Sequence, residues 1–349
     1  MYTLAVDAMG GDFAPEITVK GCLEALRAFD DIRIRLFGRE EEIRPHLSGE
    51  EYDAARLEIL DARDVITNDE APMLAVRHKT DSSLVRAAMD VRQGNADALI
   101  SAGSTGAVLA CGMLRIGRIA GVDRPALAAS LPLKRGGRFI LMDAGANTEC
   151  TPVNIVQFAI MGEVYAQYLF QLETPRVSLL SVGGEDIKGN DLTKESFKLL
   201  EQREQLNFVG NVEADVIFED VADVLVTDGF SGNVMLKGIE GLARSTMYWL
   251  KRVLSKNALR LAGAMLAKNA FIELRSLGDA DDIGGAPLLG INGICIIGHG
   301  SSSPRAVRSA IRVAGECVTF GLNERITARL NATGSNTAEL EHELADAKK

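Results

Sequence analysis

The 349-residue sequence has little of what disulfide-bonded and metal-binding proteins depend on. Its five cysteines are scattered, and no two of them stand at a Cys-x-x-Cys spacing. This pattern argues against a disulfide framework and is typical of reduced thiols in a cytosolic protein. Only four histidines occur and none pairs at a metal-ligand spacing, which argues against a His/Cys zinc site.

Positive charge, aromatic residues and long apolar runs are also scarce. The formal net charge is −10, which argues against a nucleic-acid partner. The longest uncharged run, residues 98–114, is rich in Gly, Ser and Thr and is a poor transmembrane candidate. A strand pattern begins at residue 2, which leaves no room for a signal peptide. We therefore expect a soluble, cytoplasmic protein.

Glycine, in contrast, is plentiful at 34 residues, and short apolar runs alternate with helical patterns. Strands that alternate with helices are the signature of a mostly parallel sheet covered by helices on both faces. The sequence therefore predicts an α/β fold, a Rossmann-like α/β/α sandwich. The clearest strand runs are residues 4–6, 32–37, 57–60, 98–101, 126–131, 139–142, 177–181, 207–209, 224–227 and 294–297, and the clearest helices are residues 152–170, 192–205 and 304–320.

One stretch breaks this alternation within a single α/β catalytic domain that we place at residues 1–330. Residues 235–282 are predicted to form a helical excursion with an apolar face (Leu250, Leu254, Leu261 and Met265) and a basic flank (Lys251, Arg252, Lys256 and Arg260). Such a segment fits a contact with anionic lipid or with an acidic carrier protein, and packing against a second subunit also explains it. Residues 331–349 form a polar C-terminal tail, which we expect to be mobile or loosely packed.

Six turns rich in glycine and small polar residues each follow a strand run and precede a helix. Because the carboxyl ends of parallel strands meet at one edge of a sheet, we expect all six turns to share the ligand-binding edge. Glycine lets the backbone approach a ligand closely, and helix N-termini attract negative charge. Ordinary capping explains any one turn, but six together favour a phosphate-type ligand. The turns are residues 7–12, 101–106, 143–147, 183–188, 228–233 and 298–303.

Several nucleotide and hydrolase motifs are absent. The sequence has no Walker A motif, no G-x-G-x-x-G after the first strand and no G-x-S-x-G elbow, which weakens the kinase, dinucleotide and hydrolase interpretations. Lys188 could be a cation beside phosphate or a solvated surface lysine. His299 could polarise a carbonyl, bind phosphate or only satisfy a turn. The aspartates that could hold a divalent ion, or else cap a helix or position a loop, are Asp7, Asp12, Asp143 and Asp228.

From about residue 1 to 325, the chain resembles the bacterial phosphate acyltransferases of the PlsX family, motif after motif in order. Two departures are visible. Ser104 stands where the family usually has Asn, and residues 181–184 are looser than the usual Asn-Ile-Gly pattern, although Lys188 and Gly189 remain. The matching segments are residues 5–15, 101–107, 123–127, 143–147, 156–162, 228–234 and 284–290.

This resemblance implies a phosphotransacetylase-like fold, a homodimer and a cytoplasmic enzyme that associates peripherally with the membrane. The implied reaction converts fatty acyl-[acyl-carrier protein] and inorganic phosphate to acyl phosphate and free acyl-carrier protein in phospholipid biosynthesis. A membrane glycerol-3-phosphate acyltransferase of the PlsY type would then use the acyl phosphate. We expect no cofactor and assign no metal ligands.

Loop chemistry and resemblance together give the turn residues their roles. Phosphate is already an anionic nucleophile at pH 7, so the enzyme must position it and stabilise charge on the thioester oxygen. We predict that Lys188 and Asn233 are catalytic, orienting phosphate and stabilising the tetrahedral oxyanion. The residues predicted to hold phosphate are Gly10, Gly11, Ser104, Thr105 and Gly106. The other predicted substrate-binding residues are Asp7, Asp12, Asn147, Asp228, Gly229, Ser231, His299 and Ser301, and the carrier would dock on Arg244, Lys251, Arg252, Lys256 and Arg260.

Three alternatives stay open at this point. A phosphotransacetylase that uses short acyl-CoA would share the fold and the phosphate site. A dehydrogenase is related by fold but lacks its fingerprint here, and a non-catalytic adaptor could bind lipid surfaces through residues 235–282.

Overall fold

The computed structural model describes residues 1–277 and 283–347 and contains one eleven-stranded sheet. The order of the strands across the sheet is β3-β2-β1-β4-β11-β10-β5-β6-β9-β7-β8. The strands are β1 Tyr2–Asp7, β2 Ile32–Gly38, β3 Leu57–Asp61, β4 Ala98–Ser101, β5 Ala126–Pro132, β6 Arg138–Met142, β7 Val177–Leu180, β8 Phe208–Val212, β9 Val224–Val226, β10 Ala286–Leu289 and β11 Ile294–Ile297.

The sheet consists of two parallel halves that run in opposite directions. Strands β3, β2, β1, β4 and β11 are parallel to one another, and so are β6, β9, β7 and β8. Between the halves, β10 is antiparallel to both β11 and β5, and β5 is antiparallel to β6. The mostly parallel sheet and the sandwich class are therefore confirmed, but the carboxyl ends of the two halves face opposite edges of the sheet.

Strand β10 was missed from the sequence; it makes two of the three antiparallel pairings between the halves, and the third, between β5 and β6, completes the reversal. Pro287 lies inside it, paired with Ile296, and a proline normally argues against a strand interior. Gly284 and Gly285, which precede it, have φ angles of +82° and +88°. A Cβ on Gly284 would lie 2.4 Å from Ser309 O, so this tight entry requires glycine.

Helices cover both faces of the sheet, as the alternating pattern predicted. Helix α6 begins with a capping box between Thr151 and Asn154 and runs over the predicted residues 152–170. The helices are α1 Glu16–Ala28, α2 Glu40–Leu47, α3 Pro72–His78, α4 Ser83–Arg92, α5 Thr105–Cys111, α6 Pro152–Phe170, α7 Asp191–Glu201, α8 Gly229–Leu254, α9 Ala258–Leu266, α10 Lys268–Leu277, α11 Pro304–Phe320, α12 Leu322–Ala332 and α13 Thr337–Ala347, with a π-helical turn at Gly112–Ile116.

The apolar core forms a layer on each face of the sheet. Along β1, Leu4 and Val6 pack in the layer with α1, α6, α11 and α12, whereas Ala5 packs in the layer with α4 and α5. This alternation follows from the two-residue period of a strand. The first residues of α8 join the second layer through Met235 and Ile239, so the start of α8 is anchored to the body of the protein.

Helices α8, α9 and α10 form the predicted excursion, of which residues 278–282 lie outside the described chain. Leu250, Leu254 and Leu261 line one apolar groove, as predicted, whereas the predicted fourth member, Met265, is mostly exposed. Leu259 and Leu266 are 84% and 91% exposed, so a large apolar surface is uncovered. None of the helices in residues 1–277 and 283–347 is long and apolar enough to cross a membrane.

The polar C-terminal stretch differs from the expectation of a mobile or loosely packed tail. Residues 337–347 form helix α13, and Leu340 in this helix is fully buried. Gln157 of α6 donates hydrogen bonds to Ser335 O and to Thr337 Oγ1, at 3.1 and 3.3 Å. The burial of Leu340 and the two hydrogen bonds from Gln157 together hold this otherwise polar segment against α6.

Candidate active site

The first cluster of predicted site residues lies where β1, β4 and β11 end. Ser101 Oγ donates a 2.7 Å hydrogen bond to the buried carboxylate of Asp7, which ties the turn after β4 to the turn after β1. Burial raises the pKa of Asp7, and hydrogen bonds from Ser83 and Ser101 oppose the rise. A Cβ on Gly10 would lie 2.7 Å from both Asp7 Oδ2 and Gly103 N, so the close approach of the two turns requires glycine.

The turn after β11 completes this first cluster. The Asp12 N–H donates to Gly300 O at 2.8 Å, and a Cβ on Gly11 would lie 3.3 Å from the same oxygen. His299 Nδ1 lies 2.8 Å from Ser301 Oγ and 3.2 Å from Ser301 N, so two contacts hold the ring in this turn. His299 is exposed, and these contacts do not involve its Nε2.

A cavity of about 300 Å³ opens beside His299, between the sheet and helix α8. Its rim is polar and includes Glu240 and Arg244 of α8, while Val6 and Ile100 contribute to its apolar floor. Asp7, His299 and Ser301 line this cavity, whereas Ser104, Thr105 and Gly106 begin helix α5 next to it. Gly106 faces α3, because a Cβ there would lie 2.9 Å from Pro72 Cγ.

The second cluster is organised by Asp143, a fully buried residue at the end of β6. One carboxylate oxygen accepts hydrogen bonds from the N–H groups of Leu127, Gly145 and Ala146, at 3.1, 3.0 and 2.8 Å. The other accepts two bonds of 2.8 Å, from the backbone N–H and from the side chain of Asn147. Burial raises the pKa of Asp143, and these hydrogen bonds oppose the rise.

Helix α8 begins directly on this Asp143 loop. The Gly229 N–H donates to Asn147 O at 2.8 Å, and a Cβ on Gly232 would lie only 1.9 Å from Asp143 O. Asp228 caps the helix by accepting from the backbone N–H and the hydroxyl of Ser231, both at 2.8 Å. The N–H groups of the first turn are thus largely used inside the protein, so anion binding here must come from side chains.

Asn233 and Lys188 both belong to this second cluster. Asn233 is exposed on the first turns of α8, and a Cβ on Gly145 would lie 3.1 Å from its Cβ. Lys188 is exposed in the turn after β7, where its N–H donates to Glu185 O at 3.0 Å. Among the described residues, no acceptor lies within hydrogen-bonding distance of Lys188 Nζ, which leaves the ammonium free for a ligand.

A second cavity, of about 540 Å³, lies between the Lys188 turn and the start of α8. Gly189 and Ser231 line it, so the neighbours of Lys188 and of Asn233 share one cavity. Within the described chain, the hydroxyl of Ser181 is buried in this region without a hydrogen-bond partner. The apolar lining consists of Ile155, Leu179, Leu180, Val182, Leu192, Phe230, Val234 and Met235.

The expectation that all six turns share one edge of the sheet is wrong. The turns after β1, β4 and β11 form the first cluster, and the turns after β6, β7 and β9 form the second, because β10 and β5 reverse the chain direction between them. Helix α8 connects the clusters, since it begins at Gly229 in the second and reaches the first cavity at Arg244. These two positions are about 22 Å apart along the helix axis.

Of the three roles that the sequence left open for Asp143 (metal ligand, helix cap or loop positioning), the structure shows loop positioning, because its carboxylate holds the whole second cluster together. The only signal was an aspartate directly after an apolar strand run and before Gly-Ala-Asn. The apolar cavity wall joins β7, α7 and α8, which are distant in sequence, so no local pattern could show it.

Asn147 was predicted to bind substrate, but both N–H groups of its side-chain amide donate within the protein, to Asp143 and to Pro125 O. In this structure, Asn147 therefore positions the loop.

No thiol in either cluster is poised for nucleophilic attack. The thiol of Cys150, near the second cluster, donates to Asn147 O with an Sγ–O distance of 3.5 Å. Burial raises the pKa of this thiol to about 12. Cys22, Cys111, Cys295 and Cys317 are buried, and burial raises the pKa of each thiol. Across residues 1–277 and 283–347, no three His, Cys, Asp or Glu side chains gather in a potential metal site.

Sequence comparison relates the chain to proteins of one kind. Residues 2–325 match the family model described as fatty acid synthesis protein. A Bacillus pumilus protein named phosphate acyltransferase is 48% identical over 315 residues, which cover 90% of this chain and 93% of the relative. A Desulfitobacterium hafniense protein of the same name is 46% identical over 331 residues, covering 95% and 98%.

Structural comparison supports the fold. A phosphotransacetylase from Streptococcus pyogenes matches with a TM-score of 0.60 and 15% identity, over 91% of this chain and 94% of that one. A phosphotransacetylase from Staphylococcus aureus matches with a TM-score of 0.57 and 17% identity, over the same shares of the two chains. At these identities the likeness is one of fold.

Proposed function

The chain belongs to the phosphate acyltransferase family, and on this premise we propose that it transfers a fatty acyl group from acyl-carrier protein to inorganic phosphate. The products are acyl phosphate and free acyl-carrier protein, for use in phospholipid biosynthesis. The observation that carries this proposal is the second cavity. Its apolar wall suits an acyl chain, and the exposed Lys188 and Asn233 directly neighbour two of its lining residues, Gly189 and Val234, which suits an oxyanion beside that chain.

The chemistry needs no covalent enzyme intermediate. A phosphate oxygen attacks the thioester carbonyl carbon, the tetrahedral intermediate collapses, and the carbon–sulfur bond breaks. The thiolate of the carrier leaves and takes up a proton from solvent. The protein has to hold the two reactants in line and stabilise the charge on the carbonyl oxygen. Lys188 and Asn233 perform this role, since both are exposed and each directly neighbours a residue that lines the second cavity, whereas burial raises the pKa of every thiol.

The remaining residues of the second cluster bind or position the reactants. Asp228, Gly229 and Ser231 shape the start of α8, and Asn147 supports it from below. Each of them acts on the geometry of Asn233, which sits on the same helical turns. The fatty chain lies along the apolar wall that runs from Leu179 and Leu192 to Phe230.

The first cluster binds the same donor at a distance from the reacting carbon. An acyl-carrier thioester is a long molecule, with a fatty chain on one side of the sulfur and the flexible arm of the carrier on the other. Two clusters that one helix connects can therefore serve one donor. The residues assigned to this role are Asp7, Gly10, Gly11, Asp12, Ser104, Thr105, Gly106, His299 and Ser301. Gly10, Gly11, Ser104, Thr105 and Gly106 were expected to hold phosphate, and we assign them to the donor instead because the reversed sheet separates their turns from those of Lys188 and Asn233.

The excursion contacts partner molecules and does not take part in the chemical step. Acyl-carrier protein is acidic and this chain is acidic overall, so docking needs a local basic surface. Arg244, Lys251, Arg252, Lys256 and Arg260 are all exposed on α8 and α9 and provide one. The uncovered leucines of the excursion contact a second subunit in a homodimer and the membrane periphery, where a PlsY-type acyltransferase consumes the product.

The function is tested by a substrate panel. Long-chain acyl-carrier thioester and phosphate should give free thiol and acyl phosphate in equal amounts, with no thiol released when phosphate is omitted. Faster turnover of acetyl-CoA than of the long-chain carrier thioester would instead identify a phosphotransacetylase of short acyl groups. Vesicle binding without thiol release would identify a lipid-surface adaptor.

A further inference from the structure

Arg124 lies at the second cluster on a backbone that is fixed on both sides. Before it, the Asp123 N–H donates to Gln157 Oε1 at 2.9 Å, and Asp123 accepts from the Asn154 side chain at 2.7 Å. After it, Pro125 O accepts a 2.7 Å bond from the side chain of Asn147. The Cα of Arg124 is therefore held beside the Asp143 loop by buried polar contacts.

The guanidinium of Arg124, in contrast, is not committed to the protein. The residue is exposed, and within the described parts of the chain no carboxylate or carbonyl lies within hydrogen-bonding distance of it. Strand β5 begins two residues after Arg124 and is antiparallel to β6, with Ala128 opposite Met142, and the Leu127 N–H donates to Asp143. Arg124 therefore lies at the edge of the sheet where the second cluster forms.

An anion at this cluster needs more cations than Lys188. Two carboxylates, Asp143 and Asp228, lie at the start of α8 and repel negative charge. The N–H groups of Gly229 and Ser231 are already bonded within the protein. The helix terminus alone therefore offers little compensation for a doubly charged oxyanion.

On this basis we infer that Arg124 is a phosphate-binding residue of the proposed acyl-transfer reaction. This inference rests on the proposed function and assigns its anionic substrate to a named side chain. An arginine fork donates two parallel N–H bonds to two of the four oxygens of inorganic phosphate and leaves another oxygen free to attack the thioester carbon. The anchored backbone reduces the entropy lost when the side chain engages its ligand.

The test compares four proteins in the thiol-release assay: wild type, Arg124→Gln, Arg124→Lys and Arg135→Gln. Arg135 is the control, since it is exposed in the β5–β6 hairpin, at the other end of the strand that Arg124 precedes. We expect Arg124→Gln to raise KM for phosphate about 10- to 100-fold, as loss of a charged hydrogen-bonding pair does. KM for the acyl carrier should hardly change. Arg124→Lys should fall between, because an ammonium cannot form the bidentate contact.

A second readout needs no turnover. Inorganic phosphate should raise Tm of the wild type and of Arg135→Gln, but much less that of Arg124→Gln. An unchanged KM for phosphate in Arg124→Gln, or an increased KM for the carrier instead, would overturn the inference while leaving the proposed function intact. Absence of phosphate-dependent thiol release by the wild type would count against the proposed function itself.

Discussion

The start of helix α8 offers a sharp test, because two glycines of one helix have opposite surroundings. A Cβ on Gly232 would lie 1.9 Å from the backbone oxygen of Asp143, whereas a Cβ on Gly238 would have no atom within 4 Å. Alanine is intrinsically better than glycine inside a helix by about 0.5–1 kcal/mol. Overpacking of a filled site costs about 1–3 kcal/mol, and a collision with backbone belongs at the upper end.

We therefore expect Gly232→Ala to lower the free energy of unfolding by about 2 kcal/mol, the collision less the propensity gain. Gly238→Ala should raise it by about 0.5–1 kcal/mol. The collision also pushes Asn233 and Asp228 away from the Asp143 loop, and a displacement of about 1 Å can lower kcat about 100-fold.

Urea unfolding followed by circular dichroism measures the stability of both variants, and phosphate-dependent thiol release measures kcat. Gly238→Ala is the matched control, since it makes the same chemical change in the same helix. If Gly232→Ala were as stable and as active as the wild type, α8 could not begin on the Asp143 loop, and the second cluster as described would be wrong.

Three further outcomes follow from single features of the structure. Cys150→Ala should leave kcat nearly unchanged, because burial raises the pKa of this thiol to about 12 and no thiolate exists at neutral pH; a large loss of thiol release would point to an acylated cysteine. Arg329→Met should cost about 3 kcal/mol in urea unfolding, because it leaves Glu163, which is 2% exposed, as a buried charge without its 2.7 Å partner; an unchanged midpoint would contradict the ion pair. Reversing the charges of several basic excursion residues should raise KM for acyl-carrier protein and weaken the salt dependence of that KM, but should leave turnover of a carrier-free acyl thioester unchanged. If the variant turned over the carrier thioester as well as the wild type does, the carrier would dock elsewhere. The residues to reverse are Lys251, Arg252, Lys256 and Arg260.

Much of the fold could be predicted because its elements obey local rules. Apolar runs such as residues 98–101 and 294–297 became strands with the predicted bounds, and Pro152 and Pro304 mark the first turns of long helices. Strand β10 carries Pro287 and follows two glycines, so its local signals oppose a strand. Its pairing with β11 is local, but its other partner, β5, lies about 160 residues earlier in the sequence, and no local pattern contains that pairing.

The turns of the candidate site could be located from the sequence, but their assembly could not. Asn233 was predicted in a turn before a helix, whereas it lies inside α8, which already begins at Gly229. Whether two turns meet depends on the direction of the strands before them, and that direction was assumed to be uniform. The buried bonds of Asp143 could not be foreseen either, since one aspartate in a turn can cap, ligate or organise.

The central claim is that the reaction occurs at the second cluster and that the first cluster only binds the donor. Steady-state kinetics of Lys188→Ala and His299→Ala, with long-chain acyl-carrier thioester and phosphate, test it most directly. Lys188→Ala should lower kcat about 100- to 1,000-fold, the usual effect of removing one oxyanion donor, with little change in Tm. His299→Ala should raise KM for the carrier thioester and largely retain kcat. An equal loss of kcat in both variants, or full activity of Lys188→Ala, would contradict the account.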